Sequence, residues 1–483
     1  MLRHGTRPNQ RTLATLLKAC GTVGSVWFGI GVHGLVVKMG LGTFRFCGSA
    51  LVGFYGRLRD PESARKVFDE MPERDEVCYG AIIVGLARRE TSCIDAIRIF
   101  RKMRGHGVGL SLHSVSGVLR AVAEMAALEQ CRVVHGVGVV LGFDGNAVLG
   151  SGLVDAYGKC GMTVDARRVF DELVPVMNVV GWNALMACYA QQGQSDSVLE
   201  LFESMIGQGL VPDEYSLLAV LTSLCNAGLA DETERWLTRM KEEYGLEPLL
   251  EHYTCLICVL ARVGKFHEAE QIAMDMPFEP DAGVWRALLS GGAHHGAADF
   301  VWRMSQQLLE LNPNDDSAYV IAANAFVTSA RLDEALEIRK MMKNQKIRKD
   351  SGRSWIEVRG EVHVFLAEDQ KHERREEIYS KLEELMEKIG SLGYVRVWDN
   401  IFDAEKKDRL WYHSEKLALA FGVLSGAAPP GKPLRIVKNL RICKDCHESF
   451  KYFSKLLEKE IIVRDVNRYH RFLEGSCNCK DHW

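Results

Sequence analysis

An offset of 102 residues lays one stretch of this chain on another. ARKVFDEM at 64–71 returns as ARRVFDEL at 166–173. His33-Gly34 returns as His135-Gly136, and Phe100, Met103 and Gly107 return as Phe202, Met205 and Gly209. A fixed period marks stacked units, none of which can bury its apolar face alone. The long period subdivides at 10–44, 45–75, 76–111, 112–146, 147–178, 179–213, 214–249 and 250–281. Helical apolar spacing followed by a Gly-containing turn predicts two short helices in each unit. In 179–213 the helices are expected near Trp182–Gln192 and Ser195–Gly207. Val198, Leu201, Phe202 and Met205 would form one face of the second. The expected fold is an α-helical solenoid over 1–281, a helical extension and connector over 282–398, and a small α/β domain over 399–483.

Composition narrows the class. Of 483 residues, 47% are hydrophobic and 25% charged, which suits a folded chain rather than a disordered one. No run of eighteen apolar residues is present, so no membrane role is expected. The first residues lack the apolar core of a secretory signal and are too short for a transit peptide. The net charge is −3, yet residues 401–483 hold 16 basic and 11 acidic side chains, a mildly basic tail compatible with a polyanion. Ten of the 14 cysteines are scattered between Cys20 and Cys258, and four crowd the end. That distribution points to a reduced compartment and metal ligation rather than a disulfide framework.

The end of the chain carries the sharpest chemistry. His413-Ser-Glu415 is followed by Cys443-Lys-Asp-Cys446. A hydrolytic zinc needs three protein ligands and one open position for water. His413, Cys443 and Cys446 supply those ligands, and Glu415 is the proton shuttle beside them. H-x-E with C-x-x-C is the zinc-deaminase pattern, in which water replaces the amine of cytosine and uracil results. A helix after His413 and a strand over Leu434–Val437 fit such a core. Ile442 stands where a proline usually precedes the first cysteine. His447, His470, Cys477 and Cys479 form a second set of four ligands, closed and therefore structural. Two zinc ions are expected. Cys255 and Cys258, also spaced C-x-x-C, are assigned to repeat packing.

Units of about 35, 31–32 and 35–36 residues resemble the plant-type pentatricopeptide repeat (PPR) family, with long, short and standard motifs. Tetratricopeptide repeats, uniform at 34 residues, are the nearest rival. The first nine residues look like the tail of a preceding motif, so upstream repeats and a targeting peptide are expected to be missing. The resemblance implies single-stranded RNA as partner, one base per unit, read by the fifth and last residues of each motif. The implied pairs are Ser49 with Asp75 for guanine, Ser151 with Asn178 for adenine, Asn183 with Asp213 for uracil, and Thr254 with Asp281 for guanine. Gly80 with Ser111 would read weakly, as would the long motifs. The target cytidine would lie four nucleotides beyond the last base read. The alternative is that these side chains merely cap helices or line a solvated groove.

Residues 282–350 look like the family's extension motifs, and SGRSW at 351–355 resembles its PGxSW segment, with Ser351 in place of proline. From about 400 onward, Pro429-Pro430-Gly431, Val437-Lys438-Asn439-Leu440, Arg464-Asp465 and the Asp481-His482-Trp483 terminus resemble the DYW domain of plant organelle RNA-editing proteins. Arg471 replaces a common second histidine, and the terminus has histidine where tyrosine is usual. The resemblance implies site-specific C-to-U editing of transcripts in a mitochondrion or chloroplast, with helper proteins as possible partners. The alternatives are an RNA-binding factor whose inactive tail recruits other proteins, and a protein scaffold without RNA affinity.

Overall fold

The computed structural model describes residues 7–42, 44–347, 352–395, 412–466, 468–479 and 481. The readings made on residues 1–6, Ser351, His482 and Trp483, and on the opening of the 399–483 segment, lie outside these.

Among the described residues up to 347, every unit holds two helices, beginning with Gln10–Val23 and Val26–Lys38 and ending with Asp316–Thr328 and Leu332–Asn344. The first helices of successive units pack on one another, each flanked by its own second helix. In the 179–213 unit the helices run Val179–Gln191 and Ser195–Gly207. The first starts earlier than the apolar spacing suggested because Asn178 caps it, accepting from the Gly181 N–H at 3.4 Å. Val198, Leu201, Phe202 and Met205 are all buried, as the i, i+3, i+4, i+7 pattern requires. Close stacking of first helices depends on small residues. A Cβ on Gly56 would lie 2.7 Å from the Gly85 Cα of the next unit.

The C-terminal unit is a six-stranded sheet in the order β2-β1-β3-β4-β5-β6, comprising β1 Arg353–Val358, β2 Glu361–Leu366, β3 Leu434–Lys438, β4 Ile461–Arg464, β5 Tyr469–Leu473 and β6 Ser476–Cys477. Only β3 and β4 pair in parallel. Helices Arg375–Ser391, Ser414–Leu424 and Lys444–Leu456 join the sheet around one core that includes Ile356, Phe421, Phe450 and Phe472. The sheet thus takes its first two strands from the segment read as connector. Residue spacing cannot show that Trp355 pairs with Val437, some eighty residues away.

This sheet docks on the middle of the solenoid. Trp355 and Val437 belong to the solenoid's own apolar core. Trp355 Nε1 donates to the Met125 carbonyl at 2.8 Å, and Arg435 Nη1 to the Cys160 carbonyl at 2.6 Å. Tyr469 Oη donates to the Gly158 carbonyl at 3.1 Å, and Arg471 Nη2 to the Gly161 carbonyl at 3.1 Å. These carbonyls sit at or just past the ends of helices Leu112–Glu124 and Ala147–Lys159, where backbone acceptors lack intrahelical partners and cations are favoured. Conversely, Glu357 accepts from the Glu129 and Gln130 N–H groups, at 2.7 and 3.0 Å, at the start of helix Leu128–Val140. Part of the basic excess of the tail is therefore spent on the protein's own helix ends.

Candidate metal centres and nucleic-acid interface

Two helix N-termini meet at the first centre. His413 is the N-cap of Ser414–Leu424, and Glu415 lies in that helix's first turn. Cys443 is the N-cap of Lys444–Leu456, with its Sγ accepting from the Cys446 N–H at 3.4 Å. The C-x-x-C spacing places both sulfurs at the start of one helix, where the dipole favours thiolates. His413 Nδ1 lies 3.2 Å from Cys446 Sγ and 3.6 Å from Cys443 Sγ. A tetrahedral zinc with ordinary bond lengths would set such N···S edges at about 3.5 Å, so the donor set fits the ion. Glu415 Oε1 stands 4.0 Å from His413 Nδ1.

The second centre uses the next residue of the same helix. His447 Nε2 lies 3.2 Å from Cys479 Sγ, and His470 Nδ1 lies 3.8 Å from Cys477 Sγ. A two-residue hairpin at Glu474-Gly475, both with positive φ, returns β6 along β5 and brings Cys477 beside His470. The ligand atoms of each centre lie within 4.8 Å of one another, so two distinct clusters are positioned to coordinate metal ions.

Side chains that the sequence reading left without a role surround both. Lys438 Nζ pairs with Glu415 Oε1 at 2.5 Å, and Lys416 Nζ with Asp445 Oδ2 at 2.7 Å, all four buried. Tyr394 Oη donates to the other Asp445 oxygen at 2.7 Å. Burial alone would raise Glu415, but Lys438 and His413 outweigh it and hold the carboxyl well below its usual range. The Cys443 thiol is also pushed well below its ordinary value, chiefly by its hydrogen bond with Cys446 against burial. Asp465 joins the two centres. Its Oδ2 lies 3.3 Å from His470 Nε2 and accepts from the Ile442 N–H, next to Cys443, at 3.2 Å. Its position in Arg464-Asp465 was the signal available in the sequence. Nothing local marked Lys438 as Glu415's partner.

The expected base readers occupy recurrent places. Asp75, Ser111, Asn178, Asp213 and Asp281 are each N-caps of the following helix. Ser49 Oγ donates to the Arg45 carbonyl and Thr254 Oγ1 to the Leu250 carbonyl, one turn back. Capping thus accounts for one function of the last position, while fifth and last positions also meet. Within the 179–213 unit, Asn183 Nδ2 donates to Asp213 Oδ1 at 2.8 Å. Ser151 is only 7% exposed, its Oγ donating to the Ala147 carbonyl and lying 3.7 Å from Met177 Sδ, and Gly80 is buried. Cys255 and Cys258 lie outside both metal clusters. Cys258 is 3.8 Å from Arg262 Nη2.

A helix-pair solenoid closed by an α/β unit with a His-x-Glu and Cys-x-x-Cys centre defines a repeat protein carrying a deaminase-type domain. Residues 392–483 match the DYW family of nucleic acid deaminases, and residues 302–357 match the E motif. Residues 177–226 match the PPR repeat family, and 49–75, 151–174 and 251–277 match the PPR repeat. Among curated relatives from Arabidopsis thaliana, pentatricopeptide repeat-containing protein At4g33170 is 36% identical over all of this chain and 49% of its own length. At2g03880, mitochondrial, is 36% identical, with 76% of its length covered. CRR2, chloroplastic, is 35% identical, with 74% covered. The chain therefore belongs to the pentatricopeptide repeat-containing proteins, with repeats, an E motif and a C-terminal DYW deaminase domain. It spans between about half and three quarters of these relatives. The crystal structure of PPR10 with an 18-nt psaJ RNA element superposes with a TM-score of 0.57 over 72% of this chain and 52% of that one, at 22% identity, a likeness of fold. Among the described residues, no helix is long and apolar enough to cross a membrane.

Proposed function

We propose that this protein binds single-stranded RNA through its solenoid and converts one cytidine to uridine by zinc-dependent hydrolysis. His413, Cys443 and Cys446 would hold the catalytic zinc, and His447, His470, Cys477 and Cys479 the structural one. When bound, the catalytic zinc acidifies a water at its open position. Glu415, kept ionised by Lys438, would accept one proton from water and pass it to the pyrimidine ring nitrogen, which keeps it, and would then carry the proton of the new C4 hydroxyl to the departing amine, leaving a C4 carbonyl. Cytidine and water become uridine and ammonia. Relatives named as mitochondrial and chloroplastic support an organellar transcript as substrate.

The observation that carries this reading is Glu415 standing beside a His–Cys–Cys set of tetrahedral spacing. The test is conversion of an RNA of sequence GNNAUNGNNNC by the zinc-loaded chain. Glu415→Gln is expected to lower the rate by at least about a hundredfold while leaving zinc content unchanged. Conversion that persists in Glu415→Gln refutes the mechanism.

A further inference from the structure

A cavity of about 1440 Å³ lies between the last repeats and the C-terminal unit. Its walls include Thr254, of the last expected base-reading pair, together with Cys443 and Cys479, one candidate ligand from each centre. Three arginines converge on it from different elements: Arg262 from the end of helix Leu250–Arg262, Arg441 from the segment before Cys443, and Arg468 from the turn between β4 and β5. All three are half-buried. Arg286 also lines the cavity but is committed to Asp315, and Asp316 lies at the same rim.

The guanidinium groups are held in place by the protein's own acceptors: Arg262 Nη1 donates to the Cys225 carbonyl at 2.9 Å. Arg441 Nη1 donates to Ser290 Oγ of the extension, which fixes the guanidinium at the domain junction. Its Nε is buried with no hydrogen-bond partner among the described residues. A buried donor without a partner costs stability unless an acceptor such as a phosphate oxygen completes it.

We propose that Arg262, Arg441 and Arg468 form a clamp for backbone phosphates of single-stranded RNA on its path from the last base reader to the cytidine. The proposal rests on the function given above and names the contacts that would span the unread nucleotides. Guanidinium groups suit this ligand because their forked donors match phosphate oxygens. Coming from both domains, the clamp would also hold the strand in register between them.

The experiment measures binding of GNNAUNGNNNC RNA against salt concentration for the zinc-loaded chain, for Arg262→Gln and for Arg468→Gln. A second series uses the wild-type protein and RNAs with one uncharged methylphosphonate at each linkage between the last guanosine and the cytidine. Each variant is expected to weaken binding several-fold and to reduce the log–log salt slope by about 0.7, as loss of one phosphate contact to a single strand requires. At least one methylphosphonate should reproduce that loss in the wild type and add nothing in Arg262→Gln. Unchanged slopes, or wild-type binding indifferent to every methylphosphonate, overturn the clamp while leaving the proposed function intact. Equal competition by inorganic phosphate at matched ionic strength, without linkage sensitivity, makes the arginines a small-anion site and also overturns it. A wild-type chain that binds no RNA removes both readings.

Discussion

Lys438 and Glu415 form an ion pair of 2.5 Å inside the C-terminal unit, with 7% and 0% of their side-chain surfaces exposed. The pair keeps the proposed proton acceptor charged in a place where burial would otherwise neutralise it. Removing one partner of a buried pair leaves the other uncompensated. Lys438→Met is expected to destabilise the zinc-loaded protein by about 3–5 kcal/mol, and Lys438→Met with Glu415→Gln to recover most of that loss. Chemical denaturation of the single and double variants checks it. Additive losses would show that the pair carries no coupling.

The two metal clusters should empty separately. Elemental analysis is expected to give two zinc ions per wild-type chain, about one in His413→Ala and about one in Cys479→Ser. The second variant should also lower the melting temperature more, because a closed four-ligand site contributes directly to folding. Equal melting temperatures for the two variants contradict the structural assignment.

Asp465 contacts the His470 ring of one cluster and the chain next to Cys443 of the other. Carboxylates behind ligating histidines orient the ring and raise its basicity. Asp465→Asn is expected to weaken zinc retention at the second centre about 10–100-fold in chelator competition. Unchanged retention would mean that the carboxylate only fixes the loop.

Glu357 links the sheet to the solenoid and titrates near neutrality. Burial raises it from 4.5 to about 7, against the two backbone N–H groups that favour its charged form. The folded chain therefore binds a proton that the unfolded chain releases. This contribution is complete below about pH 4.5 and is lost as pH rises through about 7, amounting to at most roughly 3 kcal/mol. Denaturation between pH 4.5 and 8 should show the decline, and Glu357→Gln should flatten that part of the profile. An identical profile in the variant excludes Glu357 as its source.

Asn178 is exposed and caps a helix, a role that aspartate fills equally well. Asn178→Asp should therefore leave the fold intact. If Ser151 and Asn178 read a base together, the change shifts preference at the fourth position of GNNAUNG from adenine toward guanine by about tenfold. Competition binding with the two RNAs measures it. Because Ser151 is largely buried, an unchanged preference would assign this pair to capping and packing alone.

The units and both ligand sets are legible in the primary sequence because their rules are local. ARKVFDEM and ARRVFDEL repeat a helix face and its turn, and Asn178 or Asp213 announces the next helix by its capping chemistry. Cys443 and Cys446 need only the first turn of one helix, and Cys477 needs only a tight hairpin to return to His470. The Lys438–Glu415 pair, the strand pairing of Trp355 with Val437, and the seating of Arg435, Tyr469 and Arg471 on helix ends of the solenoid obey no such spacing. Each joins groups far apart in the chain, chosen by where packing leaves an unpaired carbonyl or a buried charge. The sequence by itself determined the repeating helices and the metal donors, because short-range geometry is written in residue spacing. Only the tertiary structure decided how the deaminase-type unit docks and which cations face its carboxylate, because those outcomes follow from desolvation and long-range packing.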